Sequence, residues 1–274
     1  MIFHIQNNKA ASEPLNLIQV TDSHLLKNPE HTFAGISPIA SLRAILDCIQ
    51  TQHDLNSYDA IITTGDIAQE PAHETYQQYL DEISRLNCPH FLVPGNHDEI
   101  PSESIQTQKI EEPTVILANT WCVILLNSQC HEQVHGEFSA DYLNTLSNLL
   151  TQYKNYHVLL AFHHHSIPVG SAWLDQHRLQ NADAFFACID QHKNVKVILS
   201  GHVHQEFDHQ ANGVRFLAAP ATSIQFKPQS EKFSLDDQPP GYRVLSLHAN
   251  GEIETKVHRL NKCIGNLDLD LLEY

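Results

Sequence analysis

Asp22-x-His24, Gly65-Asp66, Gly95-Asn96-His97-Asp98, the run His163-His164-His165 and Gly201-His202-x-His204 follow one another along the chain, each directly after a short apolar run. Aspartates, histidines and one asparagine, with no thiolate among them, are the donors expected of two metal ions that share a carboxylate. Two such ions, ~3.5–4 Å apart, clamp the attacking and leaving oxygens of an in-line phosphoryl displacement. A lone Asp-x-His or His-x-His says little, because short motifs recur by chance. Five blocks in one order, each closing a strand-like run, point to hydrolysis of a phosphate ester.

The individual positions suit that chemistry. Asp22 and His24, and again His202 and His204, stand two residues apart, a spacing that shares a face in extended chain. Asp66 follows a glycine, which allows close backbone approach. Asn96 offers a neutral carbonyl oxygen, so the ions are not over-neutralised. Two dications outweigh Asp22, Asp66 and a hydroxide, and the remaining positive charge attracts an anionic phosphodiester. Imidazole and carboxylate donors without sulfur suit manganese, iron, zinc or cobalt. In the histidine run, strand alternation turns His164 away from His163, so His164 and His165 read as supporting residues.

These residues must be positioned by strands. Leu15–Thr21, Tyr58–Thr64, His90–Val93, Trp121–Asn127, Tyr156–Phe162 and Val195–Ser200 read as strands. Between them, Pro38–His53 (capped by Ser37), Pro71–Asn87 (opened by its proline), Ser139–Gln152 (capped by Ser139) and Ala182–Gln191 have helical periodicity. After His204 the pattern changes to hairpins: 205–210 with 214–219 around Asn212-Gly213, and 243–248 with 252–258 around Asn250-Gly251. The expectation is an α/β sandwich, two central sheets with helices outside and a β-hairpin-rich C-terminal third. All ligand groups then lie at the C-terminal ends of strands, where loops of open α/β folds converge on ligands.

The 274 residues, 42% of them hydrophobic, are enough for a full core and show neither linker nor repeat, so one domain over 1–274 is expected, with its core at 15–260 and a weakly patterned tail at 261–274. A formal net charge of −16 argues against nucleic-acid partners and against docking on anionic membranes. The six cysteines are scattered, without a C-x-x-C pair, which fits reduced thiols. The N-terminal stretch has no signal-peptide pattern and no apolar run approaches a membrane span, so a soluble, cytoplasmic protein is expected.

The five blocks resemble calcineurin-like metallophosphoesterases. Further stretches resemble the single-domain bacterial 3′,5′-cyclic-AMP phosphodiesterases of that superfamily: Gly65-Asp66-Ile67-Ala68-Gln69, Leu92-Val93-Pro94-Gly95-Asn96-His97-Asp98, Gly170-Ser171-Ala172-Trp173-Leu174-Asp175-Gln176-His177, Gly201-His202-Val203-His204-Gln205-Glu206 and Gln225-Phe226-Lys227-Pro228. Two positions depart from the pattern: Glu70 stands where aspartate is more frequent, and Ser166 where proline is common.

The resemblance implies a four-layer αββα sandwich. It implies one metal on Asp22, His24 and His204, a second on Asn96, His163 and His202, and Asp66 bridging them. Iron or manganese would be the foremost occupants, with zinc or cobalt as alternatives. His97 would bind the phosphate and assist the leaving oxygen without touching metal, and Asp98 would orient it by accepting from its other ring nitrogen. His24, Asp66, Asn96, His97, His163 and His204 would face the substrate. The implied reaction is hydrolysis of 3′,5′-cyclic AMP to 5′-AMP by a hydroxide activated between two metals, with a small cyclic nucleotide as partner and the oligomeric state open. Alternatives are another phosphodiester or pyrophosphate (a 2′,3′-cyclic nucleotide, a nucleotide-sugar lipid) or a non-catalytic scaffold, although a scaffold would be expected to lose ligands or His97, and all are present. Trp173 and His177 are either packing residues or a lid over a purine, and Lys227 and Arg243 either solvated charges or groups near the phosphate.

Overall fold

A computed structural model describes residues 1–5, 12–100 and 111–271; the last three positions of the expected tail lie outside them. In chain order its strands are β1 (Ile2–His4), β2 (Leu15–Val20), β3 (Ala60–Thr64), β4 (His90–Val93), β5 (Thr114–Ala118), β6 (Trp121–Leu125), β7 (His157–Ala161), β8 (Val195–Ser200), β9 (Phe207–Ala211), β10 (Val214–Ala218), β11 (Gln225–Phe226), β12 (Leu235–Asp236), β13 (Gly241–Leu247) and β14 (Ile253–Arg259). The α-helices are α1 (Pro38–Gln52), α2 (His73–Ser84), α3 (Ala140–Gln152) and α4 (Ala182–Ile189).

Among the described residues one sheet has the order β14-β13-β2-β3-β4 and the other β1-β5-β6-β7-β8-β10-β9. Leu17, Ile62, Val93 and Leu245 of the first meet Val123, Leu159, Val197 and Leu217 of the second in an apolar layer between the sheets. Helices α1 and α2 cover the outer face of the smaller sheet, and α3 and α4 that of the larger. The result is four layers, αββα. Strands with a layer on each face are buried on both, so every residue of β3 and β6 is buried and β6 reads as an unbroken apolar run rather than an alternating one. On α1, Ile39, Leu42, Ile45, Leu46 and Ile49 form the buried stripe. Each such side chain contributes about 1.5–3 kcal/mol, and Leu46→Ala would cost about 2–5 kcal/mol.

Local chemistry sets the ends. Ser37 and Ser139 cap α1 and α3 as read from the sequence, accepting from the Ala40 and Tyr142 amides. Helix α2 starts at His73, two residues later than its proline suggested: Ala72 is the extended cap residue and the Thr75 hydroxyl donates to the Glu70 carbonyl. Pro71 thus precedes the helix instead of opening it. Asn212 and Gly213 both have positive φ, as a tight two-residue hairpin between β9 and β10 requires. Strands β1 and β5, parallel partners at one edge, were not evident in the sequence. The first is only three residues long, and Thr-Val-Ile-Leu-Ala of β5 shows no period that separates strand from helix. Arg243 is not a solvated charge: it is buried in β13 and donates to the carbonyls of Ala218 and Phe207. Burial pulls its guanidinium down to about 10. Among the described residues no helix is long and apolar enough to cross a membrane.

Candidate metal centre

Strands β2, β3 and β4 run parallel, as do β7 and β8, so their C-terminal ends open on the same side of the two sheets. Beyond those ends the chains stay paired for a few residues: the amides of Asp22 and His24 donate to the carbonyls of Gly65 and Asp66, and the Gly201 amide to that of His163. Buried Gln19 ties the sheets together beneath, donating to Thr64 Oγ1 and to the Ser200 carbonyl. This scaffold brings residues 22 to 204 to one place.

The turn geometry corrects one sequence-based argument. Asp22, His24, Asp66, His202 and His204 all have φ between 47° and 68°, so the i, i+2 pairs share a direction through left-handed backbone and not through extended chain. Non-glycine residues in that region are held at a cost of about 1–3 kcal/mol each, and such positions cluster at functional sites. Space is as constrained as backbone. A Cβ at Gly65 would strike the His163 ring, and one at Gly95 the Asp66 carboxylate and amide.

All seven sequence-read donors converge. His24 Nε2 lies 3.1 Å from His204 Nε2, and His204 Nε2 lies 3.4 Å from Asp22 Oδ1. His163 Nε2 is 3.2 Å from each of Asp66 Oδ2, Asn96 Oδ1 and His202 Nδ1. Asp66 Oδ2 also lies 3.8 Å from His24 Nε2, between the two groups. Two donors each ~2.1 Å from one ion sit about 3.0–3.4 Å apart, depending on whether the angle is octahedral or tetrahedral. The separations fit that arrangement.

The tautomers argue the same way. His24 Nδ1 meets Gln69 Oε1 at 2.8 Å, His204 Nδ1 the Ile224 carbonyl at 2.8 Å, and His163 Nδ1 the Thr64 carbonyl at 2.7 Å. Each partner only accepts, so each Nδ1 is the donor and, in the neutral ring, each Nε2 presents a lone pair. His24 and His204 therefore aim two lone pairs at one point, which calls for a cation. Phe226 stacks on the His204 ring at 3.9 Å and holds its plane.

Electrostatics agree. Asp22, His24, Asp66, His163 and His204 are almost fully buried. Burial brings His24 down to about 3, keeping it neutral and able to donate electrons. Burial also pulls on His163, but the Asp66 carboxylate outweighs it and lifts the ring to about 9. Burial raises Asp66, whereas His163 and His97 outweigh that and hold it well below the ordinary carboxylate range. The cluster draws positive charge inward, and its nitrogen and oxygen donors fit a pair of dications.

His97 lies beside the cluster. Its amide donates to Asp66 Oδ1 at 2.9 Å, its ring meets His24 edge-on at 5.1 Å, and it is half-buried, as is Asn96. The Asp98 carboxylate accepts from the amides of Gly95, Ile67 and Ala68 and from the Tyr76 hydroxyl. These bonds fasten the turn that carries His97. Burial, then the charge of Asp66, pushes Asp98 up to about 7 against those amides. His164 packs against the His163 and His202 rings, but both of its nitrogens are engaged, by Ser128 Oγ and the Val134 carbonyl. His165 pairs with Asp175 at 3.3 Å and stacks on His202. Trp173 packs edge-on against Phe226 and Phe233. Glu70 accepts from the Lys27 amide, away from the donors.

Several contributors had no role read from sequence. Gln69 was visible only as the last residue of the Gly65–Gln69 stretch that carries the family resemblance, and the Thr64 and Ile224 carbonyls have no side-chain signal. Gln129 donates to the carbonyls of both Gly95 and Asp98, bracing the His97 turn from the other sheet.

The calcineurin-like phosphoesterase family model matches residues 15–206. A Vibrio vulnificus protein named 3′,5′-cyclic adenosine monophosphate phosphodiesterase CpdA is 38% identical over 94% of this chain and 94% of its own. The protein of that name from Escherichia coli K12 is 38% identical over 92% of each chain, and a Nostoc protein named 3′,5′-cyclic-nucleotide phosphodiesterase is 34% identical over 90% of this chain and 93% of its own. Among solved structures, a dimetal phosphatase from Danio rerio has the same fold, with a TM-score of 0.63 at 14% identity over 89% of this chain and 98% of that one. With a family model over most of its length and relatives of this identity along nearly all of it, the chain belongs to the calcineurin-like phosphoesterase family.

Proposed function

We propose that this protein hydrolyses 3′,5′-cyclic AMP to 5′-AMP at the centre formed by Asp22, His24, Asp66, Asn96, His163, His202 and His204. The observation that carries the reading is the pair of facing lone pairs on His24 and His204 beside a buried carboxylate, in a chain similar along nearly its whole length to proteins named for this activity. Two bound dications supply the positive charge that a phosphodiester and an attacking water need. The chain does the rest. Asp66, reaching both groups of donors, fixes their spacing. Gln69 and the Thr64 and Ile224 carbonyls lock three imidazoles in the tautomer that puts the lone pair on Nε2. Asn96 and His97, half-buried where the other donors are buried, face the side from which the phosphate enters.

As the bond from phosphorus to the ribose 3′ oxygen breaks, His97 donates its proton to that oxygen. The water oxygen becomes bonded to phosphorus, and a proton from the water restores His97. The turn held by Asp98 and Gln129 keeps the ring in place. A general acid in this role contributes about 10²–10⁴-fold.

Manganese-reconstituted protein offered 3′,5′-cyclic AMP, 2′,3′-cyclic AMP, bis-p-nitrophenyl phosphate and a nucleotide-sugar lipid tests the reading. The highest kcat/KM is expected for 3′,5′-cyclic AMP, with 5′-AMP as product. A higher value on either of the other biological substrates would reassign the function.

A further inference from the structure

We propose a third metal site, of different chemistry, on the segment that braces the catalytic turn: Cys130, His135 and Glu137 bind a zinc-class divalent cation. Their Sγ, ring nitrogen and carboxylate oxygen all lie within 4.8 Å of one another. The backbone builds this convergence. An antiparallel bridge between Gln129 and Gly136 folds the segment back on itself, which places Cys130 and His135 as the pair just inside the bridge and Glu137 just beyond it. The Gln133 amide donates to the Cys130 carbonyl and the Glu137 amide to the Ser128 carbonyl, closing the turn. Gly136 is required there, because a Cβ would enter the His164 ring.

Among the described residues none of the three side chains makes a hydrogen bond or an ion pair with another group. Cys130 and His135 are half-buried and Glu137 is exposed, so a cation can reach them. One thiolate, one imidazole and one carboxylate with an open position match the three-ligand pattern of zinc sites. The thiolate selects softer ions than the sulfur-free centre described above. On binding, the thiol proton leaves to solvent as the sulfur–metal bond forms, and the thiolate and carboxylate balance the dication. Gln129, adjacent to Cys130, donates to the carbonyls of Gly95 and Asp98, so an ion here stiffens the support of the His97 turn.

Cobalt(II) substitution decides the proposal, because the sulfur-free centre cannot give a thiolate-to-cobalt charge-transfer band. Metal-free full-length protein titrated with cobalt should develop that band. It should be lost in Cys130→Ser, weakened in Glu137→Gln, and kept in Cys263→Ser, where the thiol lies elsewhere. Circular dichroism and cyclic-AMP turnover of the variants verify folding. No band in wild type, or a band that survives Cys130→Ser, overturns the site whether or not cyclic AMP proves to be the substrate.

Discussion

His24 and His204 face each other across 3.1 Å through nitrogens that both carry lone pairs, because Gln69 and the Ile224 carbonyl hold the protons on the far sides of the two rings. Such a contact is repulsive in the neutral protein and attractive once a cation lies between the nitrogens. The orientation of one ring rests on a side chain that can be changed. Gln69→Leu removes the acceptor on His24 without touching the donor set, and partners of this kind are worth about 10–100-fold in metal affinity. The expected result is weaker metal binding by that factor, with turnover restored by excess metal. Equal affinities in variant and wild type would show that Gln69 does not hold the tautomer.

Asp66 reaches both groups of donors, so Asp66→Ala should differ in kind from a loss at one end. Without it, two dications at short range lose the charge that screens them. Elemental analysis should find at least one ion lost per chain and activity abolished. Retained stoichiometry and turnover would show that another group bridges.

His97 touches Asp66 through its amide and lies beside the cluster. In His97→Ala the metal content should stay near wild type while kcat for cyclic AMP falls about 10²–10⁴-fold. The loss should be much smaller for a p-nitrophenyl ester, whose leaving group needs no proton. Equal losses on both substrates would mean that His97 only positions phosphate, and lost metal would make it a ligand.

Much of this centre was legible in the sequence because its donors are polar residues placed directly after apolar strands, a position where packing alone would not put them. The two-sheet architecture followed from the same runs. The sequence hid what depends on backbone. The left-handed conformations of Asp22, His24, Asp66, His202 and His204 have only a weak residue-type signature, since aspartate and histidine are enriched in that region but also fill every other backbone conformation. Carbonyl acceptors such as Thr64 and Ile224 are invisible to side-chain reading. Arg243 read as either a solvated charge or a group near the phosphate because arginine is rarely buried, and only the tertiary fold supplies the carbonyls that hold it.

Acid should destabilise the fold through His90, at the opposite end of β4 from the turn that carries Asn96. Its ring meets the Thr63 hydroxyl at 2.8 Å, and burial brings it down to about 4 from an ordinary 6.5. The unfolded chain therefore takes up a proton at His90 below pH 6.5 that the folded chain refuses until about pH 4. The stability is present above 6.5 and is lost as pH falls towards 4, by up to about 3 kcal/mol. In urea unfolding of metal-free protein, His90→Gln should show a shallower decline from pH 7 to 4.5 than wild type. Parallel curves would place the acid sensitivity elsewhere.

Manganese titration of the metal-free protein, with bound metal and cyclic-AMP turnover followed together, tests the central claim most directly. Manganese favours oxygen and nitrogen donors, so the sulfur-bearing segment does not compete for it. Turnover should rise to saturation as binding reaches about two ions per chain, with 5′-AMP as the sole product. Full activity at one ion per chain, or two bound ions without hydrolysis of cyclic AMP, would contradict the account.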